Sequence, residues 1–277
     1  MGMYSVVTCQ VYCAIYLTIE GFLLYTCVKI IVKEWQMTVA QKIEQRINRL
    51  PVGDAFKYDS LNIKPEDYSA AAKAMQRFIE KGIVKRISTG LFYKPKESMF
   101  GELPPREEKL IEPYLYEDGK RIAYITGLSL YNRLGLTTQI PKTLKIASRD
   151  KRIYVKNKQV SAKPVKSYVD ATEENYNLLG LLDALKDFTV IPDLDKQSGI
   201  KLLINKISEL EDIDQDKLIN YGLKYPPRAR ALLGALMERG KVKLSDIDKL
   251  RGSLNPLSEY DLGISSILNT ANNWNIK

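Results

Sequence analysis

From Thr38 onward, apolar residues return at helical spacing, with Val39, Ile43, Ile47 and Leu50 sharing one side and charged or amide residues between them. The pattern predicts an amphipathic helix over 38–49, capped by Thr38 and closed by Pro51 and Gly53. A short apolar piece at 55–58 follows, then a brief helix from Asp59 through Leu61, with Pro65 as an interruption. Ser69 is expected to cap the longer run AAAKAMQRFIEK, which Gly82 ends as its C′ residue. Ala71, Met75, Phe78 and Ile79 form the apolar stripe of that helix, and Lys73, Gln76 and Arg77 lie opposite. The next stretch, GIVKRISTGLFYKP, reads as two strands at 83–87 and 91–94 around a Ser88-Thr89-Gly90 turn. Helix, short helix, helix and hairpin is the order of a winged helix-turn-helix.

Beyond residue 100 the pattern changes. Residues 106–117 and 126–134 are helix-like, and LKIASRD, RIYVKN and QVSAKPVKSYV read as three short strands joined by basic turns. From 171 the chain reads as helical, with LLGLLDALKDF, IKLLINKISEL, DKLINYGL and RARALLGALMERG separated by Pro, Gly or Asp breaks. The fold class expected is α+β: a winged helix-turn-helix at 37–100, a basic α/β domain at 101–170 and a mainly helical region at 171–277.

Charge sharpens this division. The 277 residues carry 42 Lys plus Arg against 33 Asp plus Glu, a formal +9. Counted by segment, residues 1–36 balance to 0, 37–100 to +5, 101–170 to +6 and 171–277 to −2. The excess positive charge sits in the middle of the chain, as expected of one part facing a polyanion. It is densest in 141–168, where Lys142, Lys145, Arg149, Lys151, Arg152, Lys156, Lys158, Lys163 and Lys166 meet one acid, Asp150.

The first 36 residues stand apart. Tyr4 to Val32 is long and apolar enough for a membrane span, but Gln10, Glu20 and Lys29 interrupt it, and a carboxylate in hydrocarbon is costly. No positive n-region precedes the run and no small-residue cleavage site ends it. Met37, followed at once by the Thr38 cap, reads as an alternative start. Residues 1–36 are then a mis-assigned upstream translation, against the alternatives of a membrane anchor or a buried, signal-like segment.

The rarer residues remove whole classes of chemistry. Histidine is absent, and the cysteines, Cys9, Cys13 and Cys27, all lie in the apolar tract. Zinc sites built on His or Cys, Ser-His-Asp or Cys-His nucleophiles and histidine switches have no residues to work with after Cys27. Neither a metal nor a cofactor is expected. The cysteines do not describe a disulfide framework, which points to a reducing, cytoplasmic setting. A metal-dependent nuclease is the rival class, and Pro192-Asp193 opens its signature. No later acid has a lysine two positions on, however. The pairs with that spacing, Glu107 with Lys109 and Asp118 with Lys120, come too early, and the phosphate-cradling glycine loop of nucleotide hydrolases is missing. The chain reads as a non-enzyme.

The residue types favour nucleic acid. A helix presenting Ser69, Lys73, Gln76 and Arg77 to solvent can enter a major groove, where Gln and Arg match adenine and guanine edges bidentately. Lys85, Arg86 and Thr89 on the hairpin would hold phosphates and fix register. Lys145, Arg149, Lys151, Arg152, Lys156 and Lys158 would gather near one edge of the later strands as a second basic surface, extending a DNA footprint or meeting RNA. The competing reading is a non-catalytic protein- or RNA-interaction module on the same scaffold.

Three stretches carry a family resemblance: FIEKGIVKRISTGLFYKP at 78–95, with Gly90, Phe92, Tyr93 and Pro95 in the wing; ITGLSLYNRLGLTTQIP at 125–141; and YPPRARALLGALME at 225–238. In this order they resemble the AbiEi-type antitoxins of type IV toxin-antitoxin systems, with the likeness starting at Met37. The resemblance implies an autorepressor that binds double-stranded DNA of its own promoter through the winged helix. It also implies a later domain that counteracts a nucleotidyltransferase-like toxin without a stable complex. The apolar tract of residues 1–36 departs from that pattern.

Overall fold

The computed structural model describes residues 37–99, 101–103, 105, 107–157, 159–240 and 244–277, with side chains from 247 in the last stretch. The apolar tract of 1–36 therefore lies outside the described residues, as does Lys158. The chain divides into two compact units, Met1–Pro105 and Arg106–Lys277.

In the first unit, helix α1 spans Val39–Arg49 and opens on a capping box in which Thr38 and Gln41 satisfy each other's free backbone N–H groups. Strand β1 (Ala55–Lys57) and two single 3₁₀ turns, Asp59–Leu61 and Pro65–Asp67, lead to helix α2, Tyr68–Glu80. The expected cap at Ser69 is not there: the second 3₁₀ turn runs straight into the helix, Asp67 holds the cap position without a side-chain bond, and Ser69 already lies inside. Gly82, with φ +72, closes it as expected. Strands β2 (Lys85–Ser88) and β3 (Leu91–Tyr93) then form a hairpin, and β1 returns to pair with β3, giving the order β1-β3-β2. Ile43 and Ile47 of α1, Ala71, Met75 and Phe78 of α2, and Phe56, Leu61, Val84 and Phe92 make one core. Lys94 binds the last turn of α1, donating to the carbonyls of Asn48 and Leu50. A second hairpin, β4 (Lys96–Ser98) with β5 (Gly101–Leu103), straddles the boundary expected at residue 100.

The second unit begins with α3 (Glu107–Ile111), shorter than the helix expected over 106–117. Pro113 sits in the following 3₁₀ turn, and Tyr116–Glu117 instead form strand β6, paired with β7 (Lys120–Arg121). Asp118 and Gly119 between them both have positive φ, +49 and +74, which suits the tight Asp-Gly hairpin. Strand β8 (Tyr124–Thr126), helix α4 (Leu128–Leu134), β9 (Leu144–Ser148), β10 (Val155–Lys156) and β11 (Ser161–Lys166) follow. The sheet runs β10-β11-β9-β8, with β11 parallel to β9 and its other pairings antiparallel.

Helices α5 (Tyr176–Lys186), α6 (Lys196–Ser208), α7 (Asp212–Gly222), α8 (Pro227–Arg239) and α9 (Leu244–Gly252) complete the helical C-terminal region. The division expected at 170/171 falls inside this unit: Tyr124 of β8 and Ala147 of β9 belong to the same core as Leu179, Leu182, Leu232 and Trp274. The fold is mixed α+β with a helical C-terminal region. Among the described residues no helix is long and apolar enough to cross a membrane.

Candidate nucleic-acid interface

Helix α2 has two unlike faces. At 100° per residue, Ser69, Lys73, Gln76, Arg77 and Glu80 fall within an arc of about 100°, and all are exposed. Ala71, Ala74, Met75 and Phe78 on the far side are buried, so the core fixes which face meets solvent. Ala70 and Ala72, also exposed, leave room beside the arc. The four residues expected to read bases thus share one surface. Glu80 was not expected there, and its Oε1 accepts from Gln76 Nε2 at 3.1 Å. This bond uses one of the two amide hydrogens of Gln76 and leaves its oxygen open.

The hairpin brings its three expected residues to solvent in different states. Lys85, Arg86 and Thr89 are all exposed, and Gly90, at φ +75, makes the tight turn after Thr89. The register slips between Arg86 and Ser88, where Arg86 Nε donates to the Ser88 carbonyl at 3.3 Å. Lys85 is not free: its ammonium pairs with Glu102 of β5. Glu102 also accepts from the Tyr93 hydroxyl. Burial and that carboxylate push the Tyr93 phenol up to about 12. The bonds from Lys85 and Tyr93 hold Glu102 below the usual carboxylate range. This partner lies 17 residues downstream of Lys85, so no local pattern announced it.

The second basic set separates into two groups. Arg149 pairs with Asp170 at 3.1 Å and Lys151 with Glu117. Together with Lys120, Arg121 and Asp150 they line a cleft of about 270 Å³. Arg121 anchors this part of the unit: its side chain is 8% exposed, bonds Glu173 at 2.8 Å, and lies 3.9 Å from the Tyr176 ring centroid and 4.7 Å from that of Tyr116. Lys145, Arg152 and Lys156 are exposed and have no carboxylate partner among the described residues. The stem of Lys145 lies over Gly127, so close that a β-carbon there would sit 2.8 Å from its Cδ.

One polar cluster was not foreseen. Asp183, 2% exposed, accepts from Tyr124 Oη at 3.0 Å and Thr126 Oγ1 at 2.7 Å on one oxygen, and from Tyr225 Oη and Lys186 Nζ, each at 3.3 Å, on the other. Burial lowers the affinity of Lys186 for its proton, but Asp183 and Asp187 outweigh it and the net direction is up. Burial first, then Asp183, raises the Tyr124 and Tyr225 phenols; burial, then Asp187, raises Tyr131. The signal was an aspartate within LLGLLDALKDF, where every neighbouring Leu is buried. Such a carboxylate must be bonded to be tolerated, and every group around it is spoken for, which marks a structural clasp. Asp193, considered above for a nuclease signature, sits at φ +56 and accepts from Gln139 Nε2 at 2.7 Å. No cluster of three His, Cys, Asp or Glu able to hold a metal occurs among the described residues.

A family of unknown function, DUF6088, matches residues 42–186. The chain belongs to this family. The matched span includes α2, the hairpin, the four-stranded sheet and Asp183, and ends at the last residue of α5. No curated protein matches the chain. The crystal structure of the RV2827C protein from Mycobacterium tuberculosis matches with 11% identity and a TM-score of 0.46, over 78% of this chain and 81% of that one.

Proposed function

We propose that the first unit is a winged helix that binds duplex DNA, with α2 as its reading helix, and that the protein is a non-enzymatic transcriptional regulator. The observation that carries this reading is the single exposed arc of Ser69, Lys73, Gln76 and Arg77, set by a core on the opposite side of α2. The Gln76 amide can donate to and accept from a base edge, Arg77 can donate two parallel bonds to one, and the Lys73 ammonium can donate to phosphate. The element order, with β1 completing a three-stranded sheet beside the β2–β3 hairpin, supports the winged form, and in this reading Arg86 and Thr89 on the hairpin hold the backbone. Lys85 contributes when Glu102 releases it.

The biological setting follows from the sequence likeness to AbiEi-type antitoxins. In it, the protein represses its own operon from the cytoplasm and the second unit counteracts a nucleotidyltransferase-like toxin without forming a stable complex. Footprinting of the DNA upstream of the gene tests the first part: a protected site lost in Arg77→Ala is the expected result, and uniform protection would overturn it. Growth rescue by co-expression with a neighbouring toxin gene tests the second, with failure to rescue overturning it.

A further inference from the structure

The outer part of the four-stranded sheet holds a group of side chains that the duplex-binding surface does not use. Strand β11 pairs with β9 in parallel, with Lys163 directly beside Lys145. Strand β10 pairs with β11 antiparallel, with Lys156 opposite Ser161. Side chains two residues apart in a strand, or directly opposite across a ladder, point the same way. Ser161, Lys163, Lys145 and Lys156 therefore share one sheet face, and Tyr154 lies immediately before β10, two residues from Lys156. On the opposite face Leu144, Ile146, Val155 and Ala162 are buried, which locks this orientation in place.

Tyr154 is the unusual member. It is 69% exposed, and no hydrogen bond or ring contact engages it among the described residues. Lys145, Lys156 and Lys163, all exposed, likewise have no carboxylate partner there. The only acid between 141 and 168 is Asp150. We propose that this face, Tyr154 with Lys145, Lys156 and Lys163, binds single-stranded nucleic acid, the ring stacking on a base and the ammonium groups following the phosphates. An exposed aromatic ring beside the unpaired cations of a sheet is the kind of arrangement that takes unpaired bases. A duplex keeps its base faces stacked inside and would gain nothing from the ring.

The site is independent of the reading helix, and the experiment separates the two. Fluorescence anisotropy of the full chain is followed with labelled single-stranded RNA, single-stranded DNA of the same sequence, and the corresponding duplex. Single strands should bind, with Tyr154→Ala weakening them about tenfold and Tyr154→Phe binding as the parent does. Lys163→Ala should make the salt dependence shallower by about 0.7 in the log–log slope. Arg77→Ala should leave single-strand binding unchanged, and Tyr154→Ala should leave duplex binding unchanged. The tighter of the RNA and DNA arms identifies the natural source. Failure of the full chain to bind single strands, or single strands bound equally by Tyr154→Ala, would overturn the proposal. Because the ring is exposed, the alanine variant should keep the parent's thermal unfolding profile, which is read alongside.

Discussion

Replacing Asp183 by Asn tests whether the buried carboxylate organises the second unit. One carboxylate oxygen serves Tyr124 and Thr126, the other Tyr225 and Lys186. An amide keeps a single acceptor oxygen. If that oxygen stays with Tyr124 and Thr126, the amide nitrogen faces Tyr225 and the Lys186 ammonium. The Tyr225 hydroxyl can turn and accept, but an ammonium has no lone pair. Lys186 is then left with Asp187, at 3.7 Å. If the amide flips, Tyr124 and Thr126 must both reverse, and the charge-assisted character of the cluster is still lost. A hydrogen bond to a charged group is worth about 1.5–3 kcal/mol, and stranding one member of a buried pair costs about 3–5 kcal/mol. With Asp187 compensating in part, Asp183→Asn should cost about 3 kcal/mol and Asp183→Ala about 4 kcal/mol. Urea unfolding by circular dichroism reads this as a lower midpoint at unchanged slope. A loss below about 1 kcal/mol in Asp183→Asn would refute the reasoning and mean the hydroxyl groups satisfy one another without the carboxylate.

Other consequences are equally direct. Gly234 in α8 lies so close to Trp274 that a β-carbon would be 2.2 Å from its ring. The ring is held by Glu238 at 2.6 Å and lies beneath Arg251, so Gly234→Ala should lower thermal stability by about 2 kcal/mol despite alanine's better helix propensity; an unchanged melting temperature would contradict this. Glu102→Gln should free Lys85 and steepen the salt dependence of duplex binding by about 0.9 in the log–log slope, read by anisotropy at several salt concentrations, whereas an unaltered slope would mean Lys85 never reaches phosphate. The phenols of Tyr124, Tyr131 and Tyr225 are raised above their ordinary value of 10.0. Folding therefore holds their protons more tightly, and that stabilisation is complete below about pH 10 and is lost as pH rises further. Alkaline titration by tyrosinate absorbance should show these three ionising only together with unfolding; free ionisation of all the tyrosines in a folded protein would contradict it.

The amphipathic helices were legible because their signal is local. Val39, Ile43 and Ile47 fixed α1, and the stripe of α2 fixed in turn which of its residues meet solvent. The start of α2 lies two residues earlier than the Ser69 cap predicts, because 65–67 forms a 3₁₀ turn that feeds the helix directly and leaves Ser69 inside its first turn. The Asp118-Gly119 hairpin carried a readable turn signal that the helical run before it obscured. What the sequence could not reveal is long-range. The parallel pairing of β11 with β9 depends on chain order in space. The partners that occupy Lys85, Arg149 and Lys151 lie 17, 21 and 34 residues away. A count of cations located the basic region, but only the pairing separated the occupied cations from the unpaired ones.

The central claim is that the exposed arc of α2 reads duplex DNA. It is tested most directly by anisotropy of the full chain with the duplex upstream of its gene against a shuffled duplex, from about 50 to 200 mM salt. The account predicts binding at least about a hundredfold tighter to the upstream sequence, with Arg77→Ala removing about tenfold or more of that preference. Equal, weak binding to both duplexes, unaffected by Arg77→Ala, would contradict it.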